Sequence, residues 1–203
     1  TAEMKLSTAN LLNSAQNQCL DITFKAAGDG VTNTGFWGIN AVAGRKYTLS
    51  FWARTAKKYE GNITASLLNA KGKTLATATI SAKLGKEWQK LTAEFTATAN
   101  DERAIFSLTA DKPGTISLDV VSLFPPTYKG RENGCRPDLA TMLEAMHPRF
   151  MRFPGGCYVE GIDTPENAFR WERTVGPIEQ RPGHWNKNWG YRTSDGMGFH
   201  EFL

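Results

Sequence analysis

The sequence predicts a mainly β protein: an antiparallel sandwich of jelly-roll type, followed by a shorter α/β segment. Three observations support this class. Period-two strand patterns fill the chain up to residue 124, helical spacing appears only after that point, and the composition changes at Phe124-Pro125-Pro126. Of the nine prolines only Pro113 precedes this point, whereas all three histidines follow it. We therefore expect two domains, residues 1–124 and 125–203.

Strand patterns are clearest in residues 46–53, KYTLSFWA, where alternation places the apolar residues at 47, 49, 51 and 53 on one face. Similar segments follow, and turn residues such as Ala-Lys-Gly-Lys (70–73) separate them. These segments are 62–69, 74–80, 88–96, 103–109 and 115–124, and stretches near 3–8, 20–24 and 36–40 can supply further strands. Eight or nine short strands with no helical stretch between them predict a jelly-roll sandwich.

The second part of the chain shows helical spacing. Residues 138–147, DLATMLEAMH, place Leu139, Met142, Leu143 and Met146 on one helix face, and Pro148 ends the pattern. RFMRF (149–153) then predicts a short buried strand, and residues 198–203 predict the start of a second helix. One helix–strand unit cannot cover both faces of a parallel strand, so the segment is expected to be truncated. Its apolar surface is expected to pack on the sandwich, pair with a second copy as a homo-oligomer, or be poorly ordered.

Composition excludes several classes of protein. The net charge of +4 comes entirely from residues 1–124, which hold 14 Lys and Arg against 10 Asp and Glu; residues 125–203 hold 10 of each. The excess lysines are scattered over turns and strand surfaces, so no nucleic-acid partner is expected. No apolar run approaches the roughly 18 residues of a membrane span. Export is left open, with a periplasmic or extracellular location favoured.

Cysteine and histidine give no sign of a metal centre. Cys19, Cys135 and Cys157 are odd in number and widely spaced, which fits neither a disulfide framework nor a zinc cluster. The three histidines have no metal-ligand spacing either. No cofactor is therefore expected.

The stretch FMRFPGGCYVEG (150–161) is the candidate site. An apolar run enters a Pro-Gly-Gly corner, and Cys157, Tyr158 and Glu160 follow at once. Polar residues placed directly after a strand and a glycine-rich corner commonly form the floor of a site in α/β proteins.

Residues 130–161 and 170–203 resemble glycoside hydrolase family 51, the α-L-arabinofuranosidases. The resemblance depends on four motifs that occur in order: R-P-D-L (136–139), R-F-P-G-G-C (152–157), G-P-I-E-Q-R-P (176–182) and W-G-Y-R-T-S-D-G-M-G-F-H-E (189–201). The first part resembles a carbohydrate-binding jelly-roll module of the family 4/9 type, through Y-T-L-S-F-W-A-R (47–54), Trp88 and I-S-L-D-V-V-S-L (116–123).

The resemblance implies a (β/α)8 barrel and retaining hydrolysis of terminal arabinofuranosides in arabinoxylan or arabinan. Retention needs two carboxyl groups about 5 Å apart. In the family both glutamates lie well downstream of this segment, so no catalytic residue is expected in these 203 residues. The chain alone is expected to be inactive. Glu160 lacks a recognisable second acid, and Glu201 fits a helix start better than a catalytic role.

The resemblance also implies site residues. Arg152, Cys157 and Trp189 match positions that line the sugar subsite; the alternatives are an Arg buried against a structural acid, a packed thiol and a loop held by its own tryptophans. In the sandwich, Trp37, Trp52 and Tyr59 are candidates for sugar stacking, with core packing as the alternative, whereas Trp88 is assigned to the core. Asp119 matches a position that often helps hold structural calcium in related modules, although calcium needs six or more oxygen ligands.

Two functions from different classes follow. The first is part of an arabinofuranosidase whose partner is an arabinose-containing plant polysaccharide. The second is a non-catalytic carbohydrate-binding protein, in which the tail only caps the sandwich.

Overall fold

The computed structural model describes residues 2–203. The chain forms two compact units. The first contains residues 2–12 and 18–125, and the second contains residues 13–17 and 126–203. The short segment 13–17 belongs to the second unit because the side-chain amides of Asn13 and Gln16 both donate to the Glu179 carbonyl oxygen, each at 2.7 Å.

The first unit is an antiparallel sandwich of ten strands. They are β1 (Glu3–Ser7), β2 (Cys19–Phe24), β3 (Gly30–Asn33), β4 (Ile39–Ala41), β5 (Lys46–Arg54), β6 (Tyr59–Leu68), β7 (Thr74–Leu84), β8 (Gln89–Thr96), β9 (Asp101–Ala110) and β10 (Gly114–Phe124). One sheet has the order β1-β2-β10-β5-β8, and the other has the order β3-β9-β6-β7, with β4 also paired to β9. The predicted antiparallel sandwich is confirmed. The sequence pattern missed β3, which is short and has Val31 as its only large apolar residue.

Alternation along the strands builds one core between the two sheets. Leu49 and Phe51 of β5 face it from the first sheet, and Ile63 and Leu67 of β6 face it from the second, all with almost no exposed surface. Each fully buried side chain of this size contributes roughly 1.5–3 kcal/mol through removal of apolar surface from water. The face of 46–53 that carries Tyr47, Leu49, Phe51 and Ala53 is therefore the core face of β5.

The second unit contains short elements joined by loops. Its helices are α1 (Pro137–Ala145), α2 (Cys157–Glu160) and α3 (Phe199–Phe202), and its hairpin strands are β11 (His184–Asn186) and β12 (Tyr191–Thr193). Single 3-10 turns lie at Tyr128–Gly130, Pro165–Asn167, Trp171–Thr174 and Ile178–Gln180. The predicted helix is confirmed, with Pro137 in its first turn, where no backbone donor is needed. None of the helices in residues 2–203 is long and apolar enough to cross a membrane.

The predicted buried strand at 149–153 is wrong. These residues have no regular structure, and Phe150 is 85% exposed. The physical reason is that a parallel strand needs hydrogen-bonded neighbours, and within residues 2–203 no other strand pairs with this segment. The apolar face of α1, formed by Leu139, Met142, Leu143 and Met146, is exposed as well.

Candidate functional site

The β11–β12 hairpin presents Trp189 at its tip. The strands pair in register, with His184 opposite Thr193 and Asn186 opposite Tyr191. Asn186 closes the turn, because its carbonyl oxygen accepts from the Gly190 N–H at 2.9 Å and its side-chain Oδ1 accepts from the Trp189 N–H at 3.1 Å. The Trp189 side chain is 65% exposed. Its indole face is therefore available to a ligand.

A single hydrogen bond connects this hairpin to Cys157. The Asn188 side chain donates from Nδ2 to the Cys157 carbonyl oxygen at 2.7 Å. Cys157 begins α2, and its thiol is free and exposed. Lys187, at the same tip, forms an ion pair with Asp163. The structure thus brings together two of the three predicted subsite positions, Cys157 and the tip that holds Trp189.

Arg152 lies beside the glycine corner of the same loop. A Cβ atom on Gly155 would lie 3.3 Å from the Arg152 Cζ, so the guanidinium packs along the glycine backbone. Arg152 is exposed, and within residues 2–203 the structure gives it no ion pair. The alternative of a buried Arg paired with a structural acid is therefore wrong for this segment, and the guanidinium donors are available.

A buried histidine–aspartate pair holds the base of the hairpin. His184 Nδ1 lies 3.0 Å from Asp195 Oδ1, and both side chains are almost wholly buried. The Tyr158 ring lies 5.5 Å from the His184 ring, and its hydroxyl forms a 3.1 Å hydrogen bond with Thr193 Oγ1. Burial raises the pKa of Tyr158, which keeps this hydroxyl neutral and able to hydrogen-bond. Tyr158 thus connects α2 to the β11–β12 hairpin through its hydrogen bond to Thr193 and its ring contact with His184.

Sequence reasoning missed the ion pair of Arg181 and Glu201. Arg181 sits in the G-P-I-E-Q-R-P motif, and all of its hydrogen-bond partners lie within the second unit. Its Nε and Nη2 donate to the Gly176 carbonyl oxygen, and its Nη1 donates to the carbonyl oxygens of Asp195 and Gly196. Glu201 also accepts from the Gly198 N–H at 2.7 Å, which caps α3. The only local signal was a glutamate three residues after the N-cap Gly198, which supplies one half of a capping box, because glycine has no side chain for the other half.

The electrostatics of Glu201 follow from these contacts. Burial alone would raise the pKa of its carboxyl group, but the hydrogen bonds from Arg181 and from the Gly198 N–H, together with the guanidinium charge, outweigh burial. The pKa of Glu201 therefore lies below its ordinary value. Glu201 is an ionised structural residue in this unit.

Two surface depressions flank α2. One is open and has a volume of about 530 Å³; Glu160, Asp163, Phe169 and Arg170 are among its lining residues. The other, of about 240 Å³, is aromatic and includes Phe153, whose ring centroid lies 3.8 Å from that of Phe202. Neither is lined by the predicted subsite residues. Arg152, Cys157 and Trp189 are each exposed and lie outside both depressions.

The three tryptophans of the sandwich, Trp37, Trp52 and Trp88, have different surroundings. Trp37 is 83% exposed on the loop between β3 and β4. Trp52 is half-buried, and its indole Nε1 is buried without a hydrogen-bond partner. Trp88, which was assigned to the core, is only half-buried, and its Nε1 donates to the Asn10 carbonyl oxygen at 2.9 Å.

Tyr59 cannot stack on a sugar, so its prediction is wrong. The residue begins β6 on the same face as Ile63 and is only 4% exposed. Its hydroxyl donates to the Lys112 carbonyl oxygen at 3.3 Å, and burial raises its pKa. Its ring packs so closely on Gly114 that a Cβ atom there would lie 2.8 Å from the ring. Tyr59 is a core residue.

Asp119 lies at a bulge of β10. Its Oδ1 accepts from the Val120 N–H at 2.8 Å, its Oδ2 is buried without a hydrogen-bond partner, and burial raises its pKa. Val120 has a φ of 46°, which is strained for a β-branched residue. Within residues 2–203 no group of three or more His, Cys, Asp or Glu side chains could hold a metal ion. Asp119 is therefore not part of a cluster of three or more such side chains within these residues, whereas calcium needs six or more oxygen ligands.

Comparison with known families matches each unit separately. The carbohydrate binding domain family matches residues 17–114, and the α-L-arabinofuranosidase 1 domain family matches residues 142–203. The first unit is thus similar to a carbohydrate binding domain, and the second is similar to part of an α-L-arabinofuranosidase domain.

Individual relatives match most of the chain. α-L-arabinofuranosidase 1 of Arabidopsis thaliana is 42% identical over 182 residues, which cover 88% of this chain and 26% of the relative. An extracellular exo-α-L-arabinofuranosidase of Streptomyces chartreusis is 38% identical over 98% of this chain and 24% of its own length. The solved structure of arabinose-bound MgGH51 α-L-arabinofuranosidase has a TM-score of 0.89 and 33% identity, over 99% of this chain and 34% of that one.

The chain thus spans about a quarter of the length of these curated relatives. The similarity confirms the resemblance to glycoside hydrolase family 51 that is seen in the motifs, over a segment of such proteins.

Proposed function

We propose that the protein to which this chain belongs is an α-L-arabinofuranosidase that hydrolyses terminal non-reducing α-L-arabinofuranosides of arabinoxylan or arabinan with retention. The main support is that nearly the whole chain superposes, at a TM-score of 0.89, on an enzyme solved with arabinose bound. The four ordered motifs in the second unit give independent support.

The proposal assigns a separate role to each of the two domains. Residues 1–124 are a carbohydrate-binding-module-like sandwich, and residues 125–203 are the amino-terminal portion of a (β/α)8 barrel. The exposed apolar face of α1 and the exposed Phe150 support the second assignment, because a barrel covers such surfaces with neighbouring strands and helices. The segment 13–17 is contributed to the barrel portion by the first part of the chain.

The pocket chemistry is assigned to Arg152, Cys157 and Trp189. The free guanidinium of Arg152 can donate to sugar oxygens, and the exposed indole of Trp189 can stack on the C–H face of a sugar ring. The small, polarisable side chain of Cys157 lines the proposed pocket. Retention requires two carboxyl groups about 5 Å apart, and the resemblance to family 51 implies that both glutamates, the acid/base and the nucleophile, lie downstream of these 203 residues.

Hydrolysis of a chromogenic α-L-arabinofuranoside tests the proposal. The complete gene product is expected to release the chromophore, whereas the 203-residue chain is expected to be inactive. Release by the 203-residue chain would place the catalytic pair inside it. A complete product that cleaves only other chromogenic glycosides would refute the proposed substrate class.

A non-catalytic carbohydrate-binding role is the second candidate. It is favoured by one observation, the exposed aromatic residues of the loop between β3 and β4 in a sandwich that matches the carbohydrate binding domain family. In this case the complete product would bind polysaccharide without releasing any chromophore.

A further inference from the structure

The loop at residues 34–38 exposes two adjacent aromatic rings. Phe36 is 88% exposed and Trp37 is 83% exposed. The two ring centroids lie 4.9 Å apart, and the ring planes are tilted by 53°. Both rings are therefore exposed to solvent in the loop that connects β3 to β4.

A side-chain hydrogen bond and close backbone packing define the conformation of this loop. Asn33 Oδ1 accepts from the Gly35 N–H at 2.7 Å. Gly35 and Gly38 have φ values of 64° and 99°, which glycine tolerates and bulkier residues do not. A Cβ atom on Gly38 would lie 2.3 Å from the Arg103 Cα, so the loop packs directly on β9. A pre-formed loop loses little entropy when it binds a ligand.

The surroundings of the two rings are polar and close to neutral. Asn33, Thr34 and Asn40 are exposed beside them, and the neighbouring Glu102 and Arg103 carry opposite charges. A basic cluster would indicate an acidic polymer or a lipid headgroup, and an extended apolar surface would indicate a protein partner. Aromatic faces beside neutral hydrogen-bonding groups suit a sugar, which has an apolar C–H face and a rim of hydroxyls.

We propose that Phe36 and Trp37 together bind the backbone of a neutral, soluble polysaccharide, with one ring stacked on each of two successive sugars. This inference depends on the proposed carbohydrate-binding role of the sandwich. The centroid spacing is close to the length of one sugar unit in a chain. Because the rings are tilted, they fit a backbone that rotates between successive sugars, such as the xylan chain of arabinoxylan. A flat crystalline cellulose surface can contact only one of the two rings.

Affinity electrophoresis of the 203-residue chain in gels containing arabinoxylan tests the inference. Retardation is expected for the unchanged chain and for Phe36→Tyr, which keeps the ring. Trp37→Ala and Phe36→Ala are each expected to weaken binding by about 3- to 10-fold, the loss of one stacking contact. Trp171→Ala, which removes a half-exposed ring from the other unit, is the control and is expected to change nothing.

Three further measurements complete the test. Binding is expected to persist in about 1 M NaCl, where exposed charges are screened within about 3 Å, and no chain is expected to sediment with microcrystalline cellulose. Circular dichroism checks that each variant is folded. Light scattering on a size-exclusion column tests for a second copy: a dimer that Phe36→Ala or Trp37→Ala dissociates would assign the two rings to self-association and overturn the inference.

Other results would also overturn it. These are no retardation of the unchanged chain, unaltered retardation of a folded Phe36→Ala, Trp37→Ala double variant, or equal binding to cellulose. Chromogenic hydrolysis by the complete gene product is measured in parallel and does not require the two rings. Loss of polysaccharide binding with hydrolysis intact refutes only this inference, whereas absent hydrolysis with binding intact refutes the proposed enzyme activity.

Discussion

The guanidinium of Arg181 meets the carboxylate of Glu201 in a bidentate ion pair, with Nη1 to Oε2 at 3.0 Å and Nη2 to Oε1 at 2.7 Å. The two side chains are almost completely buried. The pair joins the loop before β11 to the first turn of α3, two segments that no regular sheet connects. The ion pair therefore holds these two segments of the second unit together.

Removing one partner of this pair is expected to destabilise the second unit. Glu201→Gln or Arg181→Met leaves a buried charge or donor uncompensated, which costs about 3–5 kcal/mol. Limited proteolysis should then cleave within residues 126–203 while the sandwich remains intact. The exposed pair of Arg136 and Asp138 offers a control, since Arg136→Gln is expected to leave the cleavage rate unchanged. Equal resistance of Glu201→Gln and the unchanged chain would contradict this role.

The same pair predicts how stability depends on pH. Because the pKa of Glu201 is lowered in the folded state, the folded chain binds fewer protons than the unfolded chain between the two pKa values. The contribution of Glu201 is complete above the ordinary pKa of about 4.3 and is lost as the pH falls through the folded value. Unfolding of the second unit at a series of pH values should show this loss, and Glu201→Gln should lack it. Identical acid sensitivity in both proteins would argue against the pair as its source.

The hydrogen bond from Asn188 to the Cys157 carbonyl oxygen should set the position of Trp189. Its loss in Asn188→Ala is worth about 0.5–1.5 kcal/mol, so the KM of the complete gene product for an arabinofuranoside should rise by about 2- to 10-fold, with a smaller effect on kcat. Asn167→Ala is the matched control, because it removes a hydrogen bond to the Ile162 carbonyl oxygen on the same unit. An equal rise in both variants would mean that the Asn188 effect is not specific to the hairpin.

Tyr59 should behave as a core residue and not as a sugar contact. Tyr59→Ala is expected to cost the sandwich about 3–5 kcal/mol, as for other large aromatic truncations. Tyr59→Phe removes only the hydrogen bond to Lys112 and should cost about 1 kcal/mol. Thermal unfolding measures both, and arabinoxylan binding of the folded Tyr59→Phe protein should equal that of the unchanged chain. Weaker binding by this variant would restore Tyr59 as a ligand contact.

The sequence was most informative where a pattern repeats locally. Alternation in β5 separated its two faces, and extending the same reasoning from Ile63 back to Tyr59 would have placed both residues on one face, since they share one parity along β6. The helical spacing of α1 was equally clear. In each case neighbours in the sequence are enough to determine the element.

Features that depend on distant partners could not be predicted in this way. The apolar run 149–153 indicates that these residues are buried in some context. A parallel strand also requires hydrogen-bonded neighbouring strands, and a local pattern does not show whether these are present. Arg181 and Glu201 are 20 residues apart, and the β11–β12 hairpin lies between them, so their approach depends on how that hairpin folds. The exposed state of Arg152 and its lack of an ion pair likewise became visible only in three dimensions.

The stereochemistry of hydrolysis tests the central claim most directly. Proton NMR of the complete gene product acting on a 4-nitrophenyl α-L-arabinofuranoside should show α-L-arabinofuranose as the first sugar released, before mutarotation, because a retaining pair of carboxyl groups is proposed. The 203-residue chain under the same conditions should release nothing. A β-configured first product, or no arabinose from the complete protein, would contradict the account.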